Sequence, residues 1–476
     1  MPLSSLWEPP ACFLREYGCI PAKKPDGGES ALAPEDGVWY NQEKGGRRML
    51  RIHKDRRHLT DGEGRTVYLI GDTAWELFHR LDREEACRYL DCRAEQGFNF
   101  IQCVILAELS GLTEPNAYGR LPLLTDEAGV PDPAKPDTGG EYSYFDHVEF
   151  IVTEAERRGL RMGVLPTWGD KFNRLWGEGP EIFNAENAYF WGKWLAGRLC
   201  HHDNIVWILG GDRPLTEQRH FDVIDAMARG LGDGDGGKFL KTFHPTGAQS
   251  SSAYVHDREW LDFNMFQSGH GRPTAPSHEI AAHDRELLPV KPTMDGEQRY
   301  EDHPISFDPK NGYFDAADVR VTMWRNLFSG TAGNTYGHHG VWPMRREPDR
   351  YFPNTWETAL HRPAAESVRV LAAFVRDHDV AGFEPMQDAV LNNEPGENWA
   401  AAVLSDPERR AYLHIPCGLS EVLNPDRFPR MPEKACAFQT TGGEEIPVTI
   451  GEDGRIRFPG RAAGRGMDAV VELVFD

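Results

Sequence analysis

The chain has 476 residues, 40% of them hydrophobic and 13 of them Trp, which is enough apolar material for a large core and more length than one ordinary domain needs. Its formal net charge of −22 excludes a nucleic-acid binder, because a polyanion calls for a basic surface. No stretch approaches the roughly 18 consecutive apolar residues of a membrane span.

Residues 1–35 combine Pro, Gly and charge without periodicity and read as an extended N-terminal extension. They show no basic segment followed by an apolar run, so a cytoplasmic protein is the expectation. The eight cysteines, at 12, 19, 87, 92, 103, 200, 417 and 436, contain no Cys-x-x-Cys pair and read as thiols in a reducing compartment. From 36 to 66, short alternating pieces around Asp61-Gly62 predict a small antiparallel sheet.

A rhythm then begins. Apolar runs recur at 67–72, 98–104, 161–167, 204–210, 239–244, 260–267, 289–295 and 331–337. Amphipathic stretches separate them: Val148, Ile151, Val152 and Ala155 share one helical face, as do Phe190, Trp194 and Leu195, and Phe221, Ile224 and Met227. Eight strand–helix alternations predict an α/β fold, a (β/α)8 TIM barrel. A doubly wound open sheet would favour a glycine-rich phosphate turn after the first strand, and GDTAW is no such turn. The Pro/Gly/Asp-rich segment 105–146 follows the second strand and is expected to wall the pocket. After a helix at about 357–376 the pattern turns to short alternating strands, the first long pair joined at Ser405-Asp406-Pro407. The expected division is therefore 36–379 as the barrel with its short β lead-in and 380–476 as a C-terminal antiparallel β-sandwich.

In a barrel, functional residues follow the strands. The strand ends offer Asp72, Thr73 and Trp75; Gln102; Trp168, Asp170 and Lys171; Asp212 and Arg213; His244; Asn264, Gln267 and His270; Asp295 and Glu297; Tyr336 and His338. Carboxylates, amides and imidazoles among flat aromatic faces suit a polyol with apolar C–H faces, so the expected partner is a carbohydrate. Each has a plainer reading. Trp75 equally fits the start of a helix packed on the barrel, His244 precedes Pro245 and fits a strand cap, and Lys171 fits a surface pair with Asp170. Either Asp295 or Glu297 fits the strand-7 acid. A metal hydrolase would call for His-x-His early in the chain, and only the adjacent pairs 201–202 and 338–339 occur. Gly-x-Ser-x-Gly is absent.

The runs RHLTDGEGRTVYLIGDTAWELFHRL, GFNFIQCV, WILGGDRP and MDGEQRYE, in that order, resemble the apiosidase-like glycoside hydrolases (glycoside hydrolase family 140 and its relatives) over about residues 45–375. The C-terminal part resembles the β-sandwich module that commonly follows that catalytic domain. The resemblance implies a retaining exo-glycosidase acting on a plant-derived glycan, with apiose the leading sugar and no metal or organic cofactor. Asp212 would be the acid/base and Glu297 the nucleophile; from the strand-end reading, Asp72, Trp75, Gln102, Trp168, His244, Gln267 and Tyr336 are the expected sugar contacts. Retention implies carboxyl groups about 5–5.5 Å apart. The rivals are the same chemistry on another pentose, a deoxysugar or a hexose, and a non-catalytic carbohydrate-binding barrel.

Overall fold

A computed structural model describes residues 49–271, 276–405, 409–428 and 430–475. The expected N-terminal extension, the first part of the β lead-in, Cys12, Cys19 and the Asp406-Pro407 turn lie outside the described residues. The six other cysteines are free thiols. No described helix is long and apolar enough to cross a membrane.

Three two-residue strands (Arg51–Ile52, Leu59–Thr60, Thr66–Val67) form the small antiparallel lead-in sheet. All eight apolar runs then become strands: β1 Leu69–Thr73, β2 Phe100–Val104, β3 Arg161–Leu165, β4 Ile205–Gly210, β5 Lys241–His244, β6 Asn264–Gln267, β7 Thr293–Asp295 and β8 Gly333–Tyr336. Neighbours pair in parallel from β5 through β4, β3, β2, β1, β8 and β7 to β6. Between β5 and β6 the seam is held by Asp262 N–H donating to Lys241 C=O (2.9 Å) and Thr242 Oγ1 donating to Phe263 C=O (2.7 Å). The sheet thus forms a nearly closed TIM barrel.

Strand side chains alternate between two faces. Inside the barrel Leu69, Phe100, Val104, Leu165, Val206, Ile208, Met265 and Met294 form one apolar cluster. The opposite faces pack on helices α1 Arg83–Glu95, α2 Tyr144–Arg157, α3 Ala185–Leu199, α4 Gln218–Asp235, α5 Ser277–Glu286, α6 Ala316–Phe328 and α7 Pro363–Asp377. Their starts are encoded locally: Asp82, Ser143, Asn184 and Asp315 each cap a helix in reciprocal capping boxes, a device worth about 1 kcal/mol apiece.

Two details depart from the sequence pattern. The crossover from β5 to β6 carries only one helical turn, Ser252–Val255, plus a short antiparallel strand at Gln249–Ser250, because its polar, Pro- and Gly-containing segment offers no helical apolar period. In α3 the buried face is Ala188, Trp191, Gly192, Leu195, Ala196 and Leu199, whereas Phe190 is exposed and Trp194 half-buried. Segment 105–146 carries a hairpin (Leu123–Thr125 and Pro131–Pro136) whose second strand lies near α3.

The C-terminal part is a five-stranded antiparallel sheet, β9 Phe383–Pro385, β10 Ala401–Ser405, β11 Arg410–Ile415, β12 Lys434–Gln439 and β13 Ala469–Val474, ordered β9-β10-β11-β13-β12. One face (Ala401, Val403, Tyr412, Val470) packs on Trp324 and Phe328 of α6 and Phe374 of α7. The other (Ala402, Leu413, Val471, Leu473) is covered by Leu423, Phe428 and Ile456. The sheet is therefore layered directly onto the barrel. A polar staple crosses this contact: Arg320 of α6 donates from Nη2 and Nε to Asp468 (2.6 and 2.9 Å), and the Thr440 hydroxyl bonds the same carboxylate.

Burial alone would raise the Asp468 carboxyl pKa, but His414 and Arg320 hold it below the ordinary range. A folded-state pKa below the unfolded one means that the staple stabilises above the unfolded carboxylate's pKa and is lost as pH falls through the folded one. Asp468→Ala strands a buried guanidinium and should cost roughly 3–5 kcal/mol. A lowered urea midpoint at pH 7 checks this, and an unchanged midpoint shows the staple to be energetically idle.

Candidate active site

Strand β4 ends in Gly210-Gly211-Asp212, three successive residues at positive φ (92°, 111° and 54°). A Cβ at Gly211 would stand 2.8 Å from Gly169 N and 3.0 Å from the Trp168 ring, and one at Gly210 would stand 2.5 Å from His244 C=O. Two glycines therefore let the strand end press against its neighbours on both sides. Asp212 tolerates a left-handed backbone better than most non-glycine residues do, and such outliers gather at functional sites.

His244, at the end of β5, joins the two acids. Its Nδ1 accepts the Asp212 backbone N–H (3.3 Å), which leaves the ring proton on Nε2. That Nε2 lies 3.1 Å from Glu297 Oε2, out of line for a straight hydrogen bond. Glu297 Oε1 accepts from His270 Nε2 at 2.8 Å. The His270 ring stacks on His303 (centroids 4.3 Å apart) and tilts against Tyr300 (4.4 Å). The Tyr300 hydroxyl accepts the Trp75 indole N–H at 3.2 Å.

Electrostatics separates the two acids. Burial is the largest influence on Glu297 and would raise its pKa, but the imidazoles of His244 and His270, whose Nε2 atoms face the carboxylate, outweigh it and hold the carboxyl below its ordinary range. Asp212 is pushed up to about 6, first by burial and then by the charge of Glu297, with Arg213, His244 and His270 opposing. One acid is thus held ionised while its neighbour keeps a proton into mildly acidic pH.

The expected sugar contacts divide into two groups. Trp75, Trp168 and His244 gather, with ring centroids 5.1 Å (Trp75–Trp168), 5.5 Å (Trp75–His244) and 5.9 Å (Trp168–His244) apart. Trp75 and Trp168 both belong to the barrel interior cluster, so Trp75 is not part of a helix outside it. Gln102 donates to Gly296 C=O at 2.6 Å, tying β2 to the chain just before Glu297. Trp168 Nε1, Gln102 Oε1 and Gln267 Oε1 are buried with no protein hydrogen-bond partner among the described residues. Unsatisfied buried polar atoms are costly, and a cluster of them beside paired acids suits a ligand rich in hydroxyls.

Asp72 and Tyr336 do not join this group. They pair across β1 and β8 on the helix-facing side, where Asp72 accepts from Tyr89 (2.6 Å) and Arg93 (2.5 Å) and Tyr336 donates to Glu301 (2.9 Å). Both are buried and occupied structurally, because two-residue alternation turns them outward while Thr73 and Thr335 turn inward. Asp295 likewise faces the helices, bonded to Ser268 and to Asn326 of α6. Asn264 bonds His256, and His338 bonds Asp302. Lys171 does pair with Asp170 (2.8 and 2.9 Å), but the pair is buried rather than on the surface.

Two residues at the mouth escaped the sequence reading. Glu108, four positions beyond β2, accepts from Arg213 at 2.9 Å, and burial first, opposed by Arg213, takes its pKa to about 7. Trp176 donates from Nε1 to Asp212 Oδ2 at 3.3 Å from a surface loop. Among the described residues, two groups could hold a cation, His53/Asp55/His58 and Glu149/His201/His202, and neither includes a residue of this site.

Residues 53–381 match the sequence profile described as the apiosidase-like catalytic domain. Among solved structures, a glycoside hydrolase family 5 protein from Bacteroides vulgatus is 25% identical, with a TM-score of 0.79 over 90% of this chain and 93% of that one. A protein titled glycoside hydrolase is also 25% identical, at 0.78 over 90% and 97%. An α-amylase from Geobacillus thermoleovorans, 11% identical with a TM-score of 0.52 over 86% and 98%, shares the fold alone. No curated protein matches the sequence.

Proposed function

Since the chain belongs to the apiosidase-like glycoside hydrolases, whose profile spans most of its length, we propose that it is a retaining exo-glycosidase that releases a terminal sugar, apiose foremost, from a plant-derived glycan or glycoside. The observation that carries the reading is the placement of two acids on either side of one imidazole, His244, with surroundings that push the Glu297 carboxyl below and the Asp212 carboxyl above the ordinary carboxylate range.

In the first step a Glu297 oxygen attacks the anomeric carbon as the glycosidic C–O bond breaks, and Asp212 gives its proton to the departing oxygen. In the second, Asp212, now ionised, takes a proton from water, whose oxygen displaces Glu297 and restores both acids. His244 and His270 hold Glu297 in its charged form and in place for attack. Trp75 and Trp168 offer flat faces to the sugar, while Gln102, Gln267 and the Trp168 N–H remain to bond its hydroxyls.

A panel of aryl glycosides that includes the apioside, other pentosides, deoxyhexosides and hexosides tests the substrate. Proton NMR of the first-formed anomer tests retention. Turnover only on a sugar other than apiose would replace the sugar and keep the mechanism. An inverted first product would remove the double displacement, and inertness to every sugar would favour a binding barrel.

The pH profile carries its own prediction. Reaction needs Asp212 protonated, so kcat/KM should fall above about pH 6 and hold on the acid side until Glu297 gains a proton. Glu108 titrates close by, near 7, so the same profile in Glu108→Gln separates the two groups. The basic limb should persist there; its disappearance would assign the limb to Glu108.

A further inference from the structure

If Asp212 protonates the leaving oxygen, the leaving group must lie against whatever borders the outer side of Asp212. That border is Trp176. Its indole N–H points at Asp212 Oδ2 (3.3 Å), and the Arg213 guanidinium lies over its ring, 4.5 Å from the centroid. The residue is nevertheless 61% exposed, so the ring face away from Arg213 is open to solvent. An exposed Trp whose edge is bonded to the proton donor is placed as a platform rather than as core.

The loop that carries it is anchored. Asn173 Nδ2 donates to Pro214 C=O (2.9 Å), Gly179 N–H to Asp170 (2.7 Å) and Ser110 N–H to Glu178 (2.6 Å). Asp170 is itself in the buried pair with Lys171. A Cβ at Gly177 would fall 2.3 Å from the Asp170 Cβ and 2.5 Å from Arg213 Nη2, so the chain next to Trp176 sits tightly on the end of β3. A rigidly held aromatic face loses little freedom when a ring stacks on it.

We infer that Trp176 forms a leaving-group subsite, stacking a saccharide or aryl ring on the far side of the scissile bond, so that the enzyme selects substrates with a ring-bearing leaving group over simple alkyl glycosides. The inference rests on the assignment of Asp212 as the acid. Stacking offers a flat apolar C–H or π face a contact that a small alkyl group cannot make. The indole N–H additionally holds the rotamer of Asp212.

Benzyl and methyl glycosides of the sugar that the wild type turns over separate these two roles, because their leaving alcohols are nearly equally basic and need the acid equally. Trp176→Ala should lower the benzyl-to-methyl ratio of kcat/KM by about tenfold. Trp176→Phe, which keeps a face and loses the N–H, should hold that ratio near the wild-type value while slowing both substrates together. An unchanged ratio in Trp176→Ala overturns the subsite, whether turnover is unaffected or both substrates slow equally; equal slowing with a displaced basic limb would leave Trp176 as a positioning residue for Asp212 alone. Failure of the wild type on every glycoside would overturn the proposed hydrolase instead, so the two outcomes cannot be confused.

Discussion

Glu297→Ala should lower kcat by at least about 10⁴-fold on every glycoside that the wild type accepts, because in the proposed mechanism the covalent route disappears with Glu297. The side chain is buried, and its two oxygens face His270 at 2.8 Å and His244 at 3.1 Å, so truncation opens a small space lined by two imidazoles just where attack begins. Azide fits such a space. Added to the variant with an activated aryl glycoside, it should restore turnover and yield a glycosyl azide of inverted configuration. Wild-type rates in Glu297→Ala would remove the residue from the chemistry, and rescue that gave the retained anomer would place the nucleophile elsewhere.

Asp212→Ala should show the complementary pattern. Its proposed contribution is a proton to the leaving oxygen, so the loss should scale with the need for that proton: about 10²–10⁴-fold in kcat/KM on benzyl glycosides and far less on dinitrophenyl glycosides, whose leaving groups depart unaided. The second step still lacks its base on the activated substrate, so the glycosyl-enzyme should accumulate and azide should accelerate its breakdown with net retention. Equal losses on good and poor leaving groups would mean that Asp212 binds rather than protonates. The basic limb of the pH profile should vanish with it, since the carboxyl that titrates at about 6 is gone.

The sequence made the barrel legible because each strand combines a short apolar run with a polar or glycine-bearing exit, and all eight such runs became strands. Strand-end logic also named the acids at 212 and 297 and the aromatic pair at 75 and 168, which the fold brings near one another. It could not name the face. Asp72 lies one residue before Thr73 on the same strand, yet one points to the helices and the other inward, and only register across β1 and β8 decides which. Tyr336 went astray for the same reason. Glu108 meets the strand-end criterion, as an acid shortly after β2, but it stands at the head of a long Pro/Gly/Asp-rich loop whose pattern does not set it apart from the acids that follow. Trp176 gave no signal: a tryptophan in a glycine-rich loop has no periodicity, and its role depends on contacts made across the mouth with residues 36 positions away.

The layering of the C-terminal sheet on α6 and α7 has a bearing on how this chain is divided. The family match ends at residue 381, just before β9 begins at Phe383. Yet Trp324, Phe328 and Phe374 on the barrel side share one apolar cluster with Phe383, Tyr412 and Val470 beyond that point, and Arg320 spends its charge on Asp468. The unit that recurs by descent and the unit that excludes water therefore have different edges. A cut at the homology border would run along the inside of a core, baring a row of aromatic rings and an unpaired arginine on the piece that holds the candidate active site.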